Sequence, residues 1–194
     1  FCVLGLVAIW LAMRLDPLAR LYAVAGGVLT VTYPWLKRFV HVPQFYLGVA
    51  FGWSIPMAFA AITGGVPKIA WLLVTAVVVW AAVYDSMYAM VDREDDLRIG
   101  IKSTAILFGE ADRAIIAILQ AMTLFALWLV GDEATLGLWY RAGLVAAACF
   151  FVWQLWLIRR REPERCFRAF NNNHYVGLAV FAGLALDYLY RGAD

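Results

Sequence analysis

Residues 68–96 read KIAWLLVTAVVVWAAVYDSMYAMVDREDD. Between Lys68 and Asp85 there is no charged residue, and the apolar run continues to Val91. As a helix, residues 68–91 would rise about 36 Å at 1.5 Å per residue, enough to cross roughly 30 Å of hydrocarbon. The run is too long for a barrel strand of about 10 residues and lacks strict alternation. A membrane-spanning helix is therefore expected, ending abruptly in five carboxylates within twelve residues: Asp85, Asp92, Glu94, Asp95 and Asp96.

Working outward, six further apolar stretches cover residues 1–13, 18–36, 44–62, 114–130, 136–158 and 174–190. The chain is 64% hydrophobic and 15% charged, against about 45–50% and 25% in soluble domains. Nine Trp, nine Tyr and twelve Phe suit the membrane–water boundary. This composition excludes a disordered chain, a disulfide scaffold and a water-soluble enzyme. The expected class is all-α: one multi-pass transmembrane helical bundle over residues 1–194. Cys2, Cys149 and Cys166 have no metal-ligand spacing, and His41 and His174 are isolated. The Lys and Arg residues form no continuous basic face, so nucleic acid is not an expected partner.

Eleven of the sixteen Lys and Arg residues lie in or beside the connections after the second, fourth and sixth stretches. That imbalance predicts a cytoplasmic location for those connections, the acidic one included. Pro56 is expected to kink the third span, and Gly64-Gly65 to end it. Gly48-x-x-x-Gly52 has the spacing that lets membrane helices approach closely. No internal repeat or second domain is evident. The first stretch is short and opens on Phe, so it reads as the tail of a truncated span.

The acidic cluster carries the chemistry. On one continuous helix, Asp92 and Asp96 fall about 20° to either side of Asp85, while Glu94 points away. Like charges on one narrow face of an apolar helix destabilise it unless a cation binds, and acids at membrane depth mark functional sites. Hard oxygen ligands without nearby His or Cys favour Mg²⁺, which binds one or two carboxylates and completes its shell with water and phosphates. Asp85, Asp92 and Asp96 are accordingly the candidate metal ligands. A solvated helix end, with Arg93 and Arg98 as counter-ions, is the alternative.

Basic and polar groups follow at once. Gly100 can end the helix, Lys102 can meet a phosphate, and Ser103 and Thr104 can donate hydrogen bonds or cap the next turn. Lys37 and Arg38 either bind an anionic substrate or merely anchor the second span. Tyr84, Tyr88 or Trp53 either face a carbocation through their rings or pack in the core. Asn171, Asn172 and Asn173 either cap the last helix or join the site.

Tyr84-Asp85-x-x-Tyr88-Ala89-x-x-Asp92-Arg93-Glu94-Asp95-Asp96, followed by Gly100-Ile101-Lys102-Ser103-Thr104-Ala105, resembles the UbiA superfamily of intramembrane prenyltransferases. The likeness extends through Gly52-Trp53-Ser54-Ile55-Pro56-Met57 and Asn171-Asn172-Asn173-His174-Tyr175-Val176-Gly177-Leu178. These flanking strings favour the branch that prenylates 4-hydroxybenzoate in ubiquinone biosynthesis. The resemblance implies a nine-helix bundle, of which about seven helices would be present here, in a bacterial inner membrane. It implies a second aspartate-rich motif at Asp92-x-x-x-Asp96, and a first of Asn-Asp-x-x-Asp type, which residues 1–194 do not contain. The expectation is that this motif has been lost with the N-terminus, leaving a piece inactive alone. The implied substrates are a polyprenyl diphosphate and 4-hydroxybenzoate, with Mg²⁺ as cofactor. Asp92, Asp96 and Lys102 would be catalytic, and Arg38, Lys37, Asp85, Tyr88 and Lys102 would bind substrate. Another acceptor (a naphthoate, homogentisate or a porphyrin) and a cation-conducting transporter are the competing readings.

Overall fold

The computed structural model describes residues 2–36, 42–100 and 103–191. Among them there is no strand. Ten α-helices run α1 Cys2–Ala12, α2 Pro17–Leu36, α3 Pro43–Gly52, α4 Ser54–Thr63, α5 Lys68–Val91, α6 Arg93–Ile99, α7 Thr104–Phe108, α8 Asp112–Glu133, α9 Leu138–Ile158 and α10 Pro163–Arg191. They make seven rods, because α3 and α4 share one rod, α7 leads into α8 as the start of another, and α6 belongs to the connection after α5. Four rods are long and apolar enough to cross a membrane: Pro43–Thr63, Lys68–Val91, Thr104–Glu133 and Leu138–Ile158. The chain is an integral membrane protein.

The break between α3 and α4 falls at Trp53, three residues before Pro56. A proline has no N–H to offer the carbonyl four residues back, so the ladder divides there while the rod continues. The left-handed Gly64, at φ 70°, then ends α4, where a residue with a Cβ would be strained.

Water cannot drive helices together inside lipid, so close packing must hold them. A Cβ on Gly48 would lie 2.7 Å from the backbone of Val78, and one on Gly52 would sit 3.5 Å from Val74. The Gly48-x-x-x-Gly52 face of α3 therefore lies directly on α5, as its spacing predicts. Gly143 and Gly183 let α9 and α10 cross at similar range: a Cβ on Gly143 would meet the Ala179 carbonyl oxygen at 2.7 Å.

The last helix corrects the sequence reading. It begins at Pro163, eleven residues before the predicted start at 174. Its first half is polar outside, yet Cys166, Ala169, Asn173 and Val176 are buried. These positions recur at helical spacing, and this stripe docks the segment on the bundle. Average hydropathy could not reveal it. Asn171, Asn172 and Asn173 consequently sit in mid-helix and cap nothing. Asn173 Oδ1 accepts from Trp80 Nε1 at 2.9 Å. Asn172 Oδ1 accepts from Gln154 Nε2 at 3.1 Å, and Gln154 Oε1 accepts from Gln120 Nε2 at 3.0 Å. This polar ladder ties α8, α9 and α10 together through the apolar interior.

Candidate active site at the acidic end

The site is built where α5 stops. Asp92 has φ −88° and ψ 2°, outside the helical range, and separates α5 from α6. The N–H of Asp96 still donates to the Asp92 carbonyl at 2.8 Å, so α6 resumes the chain direction after a bend. This corrects the single continuous helix expected from the sequence: Asp85 belongs to α5, Asp96 to α6, and Asp92 to the joint. Asp92 takes the N-cap position of α6, but its side chain makes no capping bond.

Burial separates Asp85, Asp92 and Asp96 from Glu94 as their angular positions predict. Asp85, Asp92 and Asp96 are half-buried, whereas Glu94 and Asp95 are exposed. Asp95 pairs with Arg98 at 3.4 Å, both largely exposed, so the solvated reading holds for Asp95. Asp85 and Asp96 have interaction partners of their own. Among the described residues, no three His, Cys, Asp or Glu side chains gather closely enough to enclose a metal ion. Asp85, Asp92 and Asp96 do not form a closed cage. The donor set nevertheless suits Mg²⁺, which uses one or two carboxylates and leaves its remaining positions to water and phosphate.

Gly100, at φ 71°, ends α6 with its N–H on the Asp96 carbonyl. The chain then folds back, and the hydroxyls of Ser86 on α5 and Thr104 on α7 hydrogen-bond at 2.9 Å in the interior. That bond pins α7 beside the last turns of α5. Ser103 is extended and precedes α7, but its side chain does not cap the helix. Its hydroxyl is buried without a hydrogen-bond partner among the described residues. The capping reading of Ser103 is not realised, and a buried polar group of this kind is free to meet a ligand. Lys37, Arg38 and Lys102, the predicted anion-binding residues, lie outside the described residues.

Two of the three aromatic candidates stand at this end. Tyr84 packs edge-on to Phe170 at 6.1 Å, and Tyr88 meets the same ring at 5.2 Å and Phe167 at 6.4 Å. They form a wall between α5 and α10 beside Asp85. Trp53 does not belong here. Its Nε1 donates to the Tyr22 carbonyl at 3.0 Å and its ring lies against Trp71, three helical turns or more down α5 from Asp85. Its role is packing.

Sequence reasoning missed Asp112 and Arg161. Asp112 opens α8 and is 1% exposed; Arg161 lies in the turn between α9 and α10 and binds it through two nitrogens at 2.8 and 2.9 Å. That carboxylate holds the proton of the Arg161 guanidinium more firmly than usual, through hydrogen bonding first. In the sequence Arg161 is one of three consecutive arginines and reads as membrane anchoring. Only the fold brings it to Asp112.

The model of the UbiA prenyltransferase family matches residues 1–185. The chain belongs to that family. It is 56% identical over 192 residues to the 4-hydroxybenzoate octaprenyltransferase of Methylococcus capsulatus, covering 99% of this chain and 66% of that protein. To the protein of the same name from Alkalilimnicola ehrlichii it is 54% identical over 187 residues, covering 96% and 64%. The chain thus spans about two thirds of the length of these curated relatives. Among solved structures, a UbiA homologue from Aeropyrum pernix superposes with a TM-score of 0.77 at 24% identity, over 91% of this chain and 66% of that one. That likeness concerns the family fold alone. The seven rods here carry it.

Proposed function

We propose that this protein transfers a polyprenyl group from its diphosphate to the ring carbon of 4-hydroxybenzoate ortho to the hydroxyl. The observation that carries the reading is the half-buried pair Asp92 and Asp96 at the end of an apolar span, in a chain more than half identical to proteins named for this reaction. In the step, the allylic C–O bond breaks, the diphosphate leaves with the electron pair, and the ring carbon bonds to the allylic carbon and then loses its proton.

Asp92 and Asp96 would hold Mg²⁺, with Asp85 deeper on α5 as the third candidate. When bound, the ion stabilises negative charge on the departing diphosphate. Lys102, Arg38 and Lys37 are the proposed contacts to substrate anions, which they meet through fixed positive charge. Tyr88 and Tyr84 present ring faces and edges where positive charge develops. The apolar helices keep water from the allylic centre until the ring attacks. We place the acidic end on the cytoplasmic side of a bacterial inner membrane, because eleven of the sixteen Lys and Arg residues lie in or beside the connections after the second, fourth and sixth apolar stretches of the sequence.

The test is product analysis in membranes that contain the full-length protein. A polyprenyl diphosphate and 4-hydroxybenzoate supplied with Mg²⁺ should yield one diphosphate per prenylated ring. Prenylation of a naphthoate or homogentisate instead would move the acceptor, and cation flux without diphosphate release would replace the enzyme by a transporter.

A further inference from the structure

The face shared by α9 and α10 carries positive charge at the turn between them and a groove behind it. Two guanidiniums lie on one indole there: the Cζ of Arg159 is 4.1 Å and that of Arg165 is 5.0 Å from the ring centre of Trp156. The ring attracts each cation, but the two repel one another at this range. Neighbouring Arg161 is answered by Asp112 at 2.8 Å. Glu162 serves two arginines at once, Arg165 through Nε at 3.1 Å and Arg160 through Nη1 at 4.0 Å. Arg159 makes no ion pair among the described residues. Arg165 Nη1 is enclosed without a hydrogen-bond partner, so the fork end of that guanidinium is not committed within the protein. An anion with several acceptor oxygens, such as a phosphate, would satisfy both forks.

Behind this clamp the surface turns apolar. Trp156 stacks on Trp153 with ring centres 4.7 Å apart. Trp153 in turn lines a groove of about 390 Å³ with Cys149, Phe150, Asn172 and Tyr175. At 100° per residue, positions 149, 153 and 156 fall within about 60° on α9, and 165 and 172 within about 20° on α10. Clamp and groove therefore share one face. From Arg159 to Cys149 the helix rises about 15 Å, half of the roughly 30 Å of hydrocarbon, which is the depth of one leaflet. Asn172 is the polar group between the two ends. Its Oδ1 accepts from Gln154 Nε2 at 3.1 Å, while its Nδ2 donates to none of the described residues. A donor left open toward hydrocarbon is costly, so an acceptor arriving with a lipid would stabilise it.

We propose that this face binds one anionic glycerophospholipid, with its phosphate between Arg159 and Arg165, an ester carbonyl at Asn172 and an acyl chain in the groove. Basic pockets between spanning helices favour such headgroups. The order of the three features selects the occupant: free phosphate has no chain, a prenyl diphosphate has no ester, and a zwitterionic lipid brings a second cation to the clamp. The site is separate from the acidic cluster and does not rest on the prenyl-transfer reading.

The experiment is native mass spectrometry of the full-length protein in detergent micelles, titrated with phosphatidylglycerol or with phosphatidylcholine of the same chains. Phosphatidylglycerol should form a one-lipid complex about tenfold tighter. Ether-linked phosphatidylglycerol, which lacks the ester carbonyls, should bind about threefold more weakly than the ester form. Arg159→Gln and Arg165→Gln should each weaken the complex about fivefold, the effect of one interfacial cation. Arg160→Gln, a neighbouring cation outside the clamp, should stay within about twofold. Equal affinity for phosphatidylglycerol and phosphatidylcholine, or for the ester and ether lipids, overturns the proposal. Those arms need no substitution, so they decide even if a variant does not accumulate. A loss in Arg160→Gln as large as in Arg159→Gln also overturns it, by assigning the attraction to a diffuse basic surface. Displacement of the lipid by an equal concentration of inorganic phosphate does the same in favour of a free anion.

Discussion

The two ends of the bundle each bury an aspartate, and they satisfy it by opposite means. Asp112, at the acidic end, is answered by the charged fork of Arg161 with Arg93 nearby. Asp187, near the far end of α10, is 3% exposed. Its oxygens accept from the backbone N–H of Gly137 at 2.9 and 3.0 Å and of Tyr140 at 3.4 Å. Asp187 thereby caps the start of α9 from fifty residues away, where the helix dipole favours a negative charge. Backbone donors are fixed, so these hydrogen bonds from Asp187 lock α10 to the start of α9. Guanidinium partners sit on long side chains that can be redirected. The difference teaches which buried acid is held by fixed donors and which depends on partners that can move.

The contrast breaks most visibly at the reactive carboxylates. In the full-length protein, Asp92→Asn or Asp96→Asn should reduce prenyl transfer by about 100-fold or more, the scale of losing a main electrostatic stabiliser. Both variants should insert and fold normally, as read by yield and thermal unfolding in detergent, because both residues lie beyond the end of the α5 span. Next in size is Asp187→Ala, which strands the N–H groups of Gly137 and Tyr140. It should cost about 1–3 kcal/mol of stability and lower the unfolding temperature while leaving the Mg²⁺ dependence of transfer unchanged. A shifted Mg²⁺ dependence would erase the distinction between the two ends. The smallest effect belongs to Lys68→Met. Lys68 Nζ bonds Glu133 at 2.9 Å across the Asp187 end, with the lysine 74% exposed. Such pairs contribute about 0–1 kcal/mol, so unfolding should barely move.

The rods were legible in the sequence wherever apolar residues ran unbroken, as in α5 and α9. The Gly48-x-x-x-Gly52 face and the turns at Gly64 and Gly100 were legible too, because they depend on local chemistry. The first half of α10 was not, since its buried stripe of Cys166, Ala169 and Asn173 is diluted by polar residues on the outer face. The bend at Asp92 escaped a reading that assumed constant helical rotation. At the site, angular position separated the half-buried Asp85, Asp92 and Asp96 from the exposed Glu94, while Asp95 was given no place by it. The pairing of Asp112 with Arg161 could not: forty-nine residues separate them, and each has an ordinary local explanation.

The claim on which the rest depends is that Asp92 and Asp96 act by holding Mg²⁺ against a diphosphate. Its most direct measurement is prenyl transfer to 4-hydroxybenzoate in membranes, followed across a Mg²⁺ titration for the unsubstituted full-length protein and for its Asp92→Asn variant. The account predicts saturable activation by Mg²⁺ that disappears in Asp92→Asn. Equal rates and the same Mg²⁺ midpoint in both would contradict it.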